Sequence, residues 1–139
     1  MSKSSRSFLM CVLILLLTVG AAVGCSSASA SGKGLTLQQP DSGKSFTVKS
    51  GDAIRVTLRG NPTTGFSWQV VTPDDGTAIV KQVGGAVFQA DSSALGAGGT
   101  FTFEFQAAAK GEGALKLVYS RPWESVPPAQ TFEVTLTVN

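Results

Sequence analysis

The 139-residue chain has no histidine, and its two cysteines, Cys11 and Cys25, both lie near its start. Nucleophilic catalysis by a Ser/His or Cys/His pair and metal sites of the Cys/His kind are closed to such a chain. Its nine carboxylates are scattered with no evident pair for acid–base work, and nothing marks a Ser/Lys dyad. Neither an enzyme nor a cofactor or metal site is expected. What the chain does concentrate is loop chemistry suited to recognition, in Asn61-Pro62-Thr63-Thr64-Gly65-Phe66, Gly96-Ala97-Gly98-Gly99 and Arg121-Pro122-Trp123-Glu124.

Each of these loops also has a plain structural reading. Asn before Pro starts a turn, Pro62 restricts Asn61 to extended backbone, and Gly65 lets the chain turn back. The same stiffness presents a preorganised tip, because Pro62 and the β-branched Thr63 and Thr64 lose little freedom on binding. Phe66 is expected to pack inward at the base. The Gly96–Gly99 run is a mobile turn or bare backbone that can approach a cleft and pair as an extended substrate does. No phosphate loop is indicated, since no Lys-Ser/Thr follows and no helix starts there. Trp123, between Pro122 and the Pro127-Pro128 pair, is either folded over the core or offered to a partner.

The elements that must position these loops read as strands. Apolar and polar residues alternate from Leu35 onward: Ile54, Val56 and Leu58 oppose Arg55, Thr57 and Arg59, and Phe101, Phe103 and Phe105 oppose Thr102 and Glu104. Phe132, Val134, Leu136 and Val138 oppose Glu133, Thr135 and Thr137, and further strands are expected at 45–49, 67–71, 79–90 and 114–120. Trp68 alternates with Ser67 and Gln69 and is expected in the core. The pattern predicts an all-β, immunoglobulin-like antiparallel sandwich of about seven to eight strands, without the Cys…Trp…Cys framework of true immunoglobulin domains. In such a fold, loops separated by two strands share an end. That places 96–99 beside 121–124; it places 61–66 with them only if 79–90 is one kinked strand with a bulge at Gly84-Gly85, whereas a hairpin turn there would send 61–66 to the far end.

The start of the chain reads as a targeting segment. Lys3 and Arg6 precede an apolar run from Phe8 to Val19 that is too short to span a bilayer comfortably, and Ala22-Val23-Gly24-Cys25 resembles a bacterial lipobox. The expected organisation is a lipoprotein signal peptide at 1–24, lipidation of Cys25 with a Ser/Ala/Gly tether over 25–34, and one domain over 35–139; cleavage after Ala28-Ser29-Ala30 is the alternative. Residues 1–24 hold two of the eleven basic groups and none of the nine acidic ones, so the remaining chain is formally neutral. A neutral chain without a Lys/Arg cluster has no footprint for nucleic acid.

The order and identity of the three loops resemble those of the chagasin-type inhibitors of papain-like cysteine proteases, whose patterns read NPTTG(F/Y), GxGG and RPW, and the resemblance spans nearly the whole domain after residue 34. It implies a reversible, monomeric inhibitor whose loops form a wedge, and it favours the bulge. Residues Asn61, Pro62, Thr63, Thr64, Gly65 and Phe66 would form the central tip. Gly96, Gly98 and Gly99 would lie against one arm of the protease cleft, and Arg121, Pro122 and Trp123 against the other. With Cys25 acylated, the location would be the cell envelope, on a bacterial membrane (the outer membrane facing the periplasm in a Gram-negative cell); without it, secreted or periplasmic. The competing reading is a structural or adhesive surface lipoprotein whose domain binds another protein or a glycan.

Overall fold

The computed structural model describes residues 34–71 and 78–139; the signal at 1–24, Cys25 and all of the tether but Gly34 lie outside the described residues. Nine strand segments follow in order: β1 (Leu35–Gln38), β2 (Ser45–Val48), β3 (Ala53–Gly60), β4 (Ser67–Val71), β5 (Val80–Gln82), β6 (Val87–Ala90), β7 (Gly99–Ala107), β8 (Gly111–Ser120) and β9 (Gln130–Val138). One sheet runs β1-β3-β7, with β5 and β6 both on the outer side of β7; the other runs β2-β9-β8-β4.

The alternation seen in the sequence sets which face each strand buries. Ile54, Val56 and Leu58 face inward with Phe101, Phe103 and Phe105, against Leu115, Leu117, Phe132, Val134 and Leu136 of the opposite sheet. Arg55 and Glu104, which the β3–β7 register sets opposite one another, pair on the outer face at 2.7 Å. No charged residue is buried among the described residues, so the core is held by apolar burial and packing.

The sandwich is present, but its sheets are mixed, not antiparallel throughout. β1 pairs parallel with β3, and β2 parallel with β9. Alternation fixes the face a strand buries, not the direction of its neighbour. Here a short 3-10 turn (Gln39–Asp41) carries the chain from one sheet to the other between β1 and β2. The two strands therefore cannot form a hairpin, and each is added to an edge.

The 79–90 stretch settles as one interrupted strand. β5 and β6 both run antiparallel to β7, from Gln82 opposite Phe105 to Val87 opposite Thr102, so five steps on one side meet three on the other. Gly84 has φ of 74°, and the N–H of Val83 still donates to the Glu104 carbonyl at 2.8 Å. The extra residues form a bulge, and no hairpin reverses the chain. Counted so, the described residues hold eight strands, and the loops at 61–66, 91–98 and 121–129 share one end.

Candidate functional site

Asn61 is the hub of that end. Pro62 keeps it extended (φ −139°), and its side chain caps the 3-10 turn Pro62–Thr64: Oδ1 accepts from the Thr63 N–H at 3.1 Å and the Thr63 hydroxyl at 2.6 Å. Its Nδ2 donates to the Gly96 carbonyl at 2.9 Å, joining the central loop to the glycine loop. The Tyr119 hydroxyl accepts from the Asn61 N–H at 2.7 Å and donates to its carbonyl at 3.2 Å. The cap leaves Pro62, Thr63 and Thr64 exposed on a stiff projection.

Gly65 ends the turn with φ of 81°, a conformation that favours glycine. The Trp123 ring lies against it, and a Cβ on Gly65 would come within 2.7 Å of that ring. The contact joins the third loop to the first. Arg121 adds to the same joint: Nε donates to the Thr64 carbonyl at 3.1 Å, Nη1 to Glu124 Oε1 at 2.9 Å, and its guanidinium stands 4.4 Å from the centre of the Phe66 ring. Phe66 stacks on Tyr119, which packs on Trp68, each pair with centroids 5.2 Å apart. A column of Arg121, Phe66, Tyr119 and Trp68 thus ties the loop end to the core.

The glycine loop is closed at its base by the Asp91 N–H donating to the Gly98 carbonyl at 3.0 Å. Arg59 grips Asp91 with both terminal nitrogens, one of them at 2.7 Å, and so fixes the loop to β3. The hydrogen bonds from Arg59 hold the Asp91 carboxyl below the usual carboxylate range, and the same bonds push the guanidinium up. Gly96, with φ of 78°, is exposed at the tip.

One expected contact residue, Gly99, lies inside the sheet, and another, the half-exposed Arg121, spends its hydrogen bonds within the loop end. Gly99 is buried as the first residue of β7, paired with Gly60 on one side and Ala90 on the other. A Cβ there would collide with the Gln89 carbonyl and the Phe88 ring, so packing within the sheet is what requires glycine. Arg121 directs its hydrogen bonds inward onto the central loop and Glu124. Sequence reasoning also missed Leu95, which is fully exposed beside Gly96, whereas Trp123 is 69% exposed. A large apolar residue between the small residues Ser92-Ser93-Ala94 and Gly96-Ala97, with no alternating strand pattern to bury it, was the available signal. Tyr119 was missed as well, because alternation marks it as core and not as the anchor of Asn61. Among the described residues, no group of three or more His, Cys, Asp or Glu could hold a metal.

One end of the β-sandwich thus presents three loops joined to one another, with Leu95, Trp123 and Val126 exposed on them. The family model of the chagasin family peptidase inhibitors matches residues 47–138, and the chain belongs to that family. It is 36% identical over 100 residues to chagasin of Trypanosoma cruzi, covering 70% of this chain and 91% of that protein. It is 33% identical over 108 residues to amoebiasin-1 of Entamoeba histolytica, covering 76% of this chain and 98% of that one. Among solved structures, a cysteine protease inhibitor from Entamoeba histolytica superposes with a TM-score of 0.66 at 23% identity, over 76% of this chain and 96% of that one, which shows the shared fold.

Proposed function

We propose that this protein is a reversible, noncovalent, monomeric inhibitor of papain-like cysteine proteases that fills the active-site cleft with its three loops. The observation that supports this most is their union: Asn61 bonds the central loop to the glycine loop, and Arg121 and Trp123 bond it to the third. Thr63 and Thr64 form the tip that plugs the cleft at the catalytic Cys and His. Leu95 and Gly96 lie along one arm and Pro122 and Trp123 along the other, while Asn61, Gly65, Phe66, Gly98, Gly99 and Arg121 hold these groups in place. Little conformational freedom remains to be lost on docking, which favours tight binding.

The loop should survive in the cleft. Pro62–Thr64 is a 3-10 turn, not an extended chain, and the Thr64 carbonyl is already engaged by Arg121. Its peptide bonds are therefore out of line for attack. The chain expressed from Ser26 should inhibit papain reversibly, with nanomolar Kd plausible for a stiff interface of about 1,600 Å². Trypsin and subtilisin should be unaffected, and the mass of the inhibitor should be unchanged after prolonged incubation. Equal inhibition of a serine protease, or cleavage within 61–66 with loss of inhibition, would contradict the mechanism.

The reading extends to the cell envelope. The lipobox-like Ala22–Cys25 supports acylation of Cys25 and attachment to a bacterial membrane. An acylated N-terminal Cys25 in the intact mass of the detergent-extracted protein would establish it, and a water-soluble product beginning near Ser31 would exclude it.

A further inference from the structure

The glycine loop has no anchor in the core. No residue from Asp91 to Gly98 is buried, and hydrogen bonds inside the loop are local: the Ala94 N–H donates to Ser92 Oγ at 3.3 Å and the Ala97 N–H to the Ala94 carbonyl at 3.1 Å. A segment without buried side chains takes its position from its polar ties. Two side chains reach it from the neighbouring chain, Asn61 at the tip through the Gly96 carbonyl and Arg59 at the base through the Asp91 carboxylate. The β3–β7 register sets Arg59 opposite Thr100, and Thr100 stands opposite Gln89 of β6, just before Asp91. Arg59 Nη1 donates to Thr100 Oγ1 at 3.4 Å as well as to Asp91, so the guanidinium straps β3 across β7 to the end of β6. The strap has a rigid root, because the Arg59 carbonyl accepts from Nε1 of the buried Trp68 at 2.9 Å.

We infer that Arg59 and Asp91 are a positioning pair for inhibition: their ion pair sets where Leu95 and Gly96 stand, and thereby Ki, while adding little to the stability of the fold. The inference rests on the inhibitor reading above. Both side chains stand largely in water, Arg59 66% and Asp91 49% exposed, and ion pairs so placed contribute little to folding. Arg59 also borders an open cleft with Gln38, Pro40 and Thr57, so truncating it leaves the core closed. Binding is affected differently. A loop tied at Gly96 alone has a free base, and docking must then order that base at an entropic cost that the strap has already met in the intact protein. The pair acts through the loop, not by touching the protease.

The test compares Arg59→Ala, Asp91→Ala and the double variant with the parent chain from Ser26, by papain Ki, thermal melting and hydrogen exchange of the free proteins. Each single variant should raise Ki about tenfold, and the double variant by no more than either, because the two side chains form one tie. Melting temperatures should stay within about 3 °C of the parent. Without papain, amides at 92–98 should exchange roughly tenfold faster in all three variants, while those of β3 and β7 keep their parent rates. Losses that multiply to about a hundredfold in the double variant would mean that each side chain meets the protease on its own, and would overturn the inference. A parent-like Ki, unchanged exchange at 92–98, or a melting temperature lowered by roughly 8 °C or more would overturn it equally. If the parent chain itself does not inhibit papain, the inhibitor reading falls, and exchange of the free variants still decides whether the pair holds the loop.

Discussion

Trp123→Ala should weaken papain inhibition about 30-fold or more, some 2 kcal/mol, while the melting temperature moves by no more than about 3 °C. The ring is 69% exposed and lies on Gly65, so its removal uncovers backbone and opens no cavity in the core. What is lost is a rigid aromatic face beside the tip formed by Thr63 and Thr64. Interface energy concentrates in such residues because a Trp desolvates a large area while giving up only two side-chain torsions. Ki and thermal melts of the purified variant, made in the chain from Ser26, measure both quantities. A large fall in melting temperature with unchanged inhibition by the folded fraction would reverse the assignment of the ring.

The other tryptophan should behave in the opposite way. Trp68 is 4% exposed, packs on Tyr119 and donates from Nε1 to the Arg59 carbonyl at 2.9 Å. Trp68→Ala removes a large side chain from between the sheets and should cost about 3–5 kcal/mol. For a domain of this size that corresponds to a fall of roughly 12 °C or more in melting temperature. The loss also reaches the loop end, since Tyr119 holds both backbone groups of Asn61. Chemical denaturation should therefore show a lower midpoint at an unchanged m-value. A midpoint equal to that of the parent chain would mean that the sandwich is not closed by this ring.

The contrast between the two residues shows what could be read from order alone. Alternation distinguishes inward from outward wherever a strand continues for several residues, which is why Ile54, Phe103, Val134 and Trp68 were legible as core. It carries no information about the partner's direction, so the parallel pairing of β1 and β2 was not legible. Gly84-Gly85 permits either a reversal or a bulge, because positive φ serves both; the choice depends on whether β6 can continue along β7. Loop identity was visible in the motifs, but side-chain direction was not. Arg121 turns inward because Phe66 and the Thr64 carbonyl are within its reach, and both are positioned by a segment more than fifty residues away in the chain. Gly99 needs the contact between Phe88 and Phe101, which juxtaposes β6 and β7, before its lack of a side chain acquires a meaning.

Hydrogen exchange of the chain from Ser26, with and without papain, tests the docking of the three loops as one unit most directly. Amides at 61–66, 95–98 and 121–124 should slow together on binding, while those at the opposite end, around Gly51 and Lys110, should keep their free rates. Papain whose cleft is already filled by a covalent active-site inhibitor should produce no protection. Protection centred on an outer sheet face or on the far end, or equal protection by cleft-blocked papain, would contradict occlusion of the cleft by this wedge.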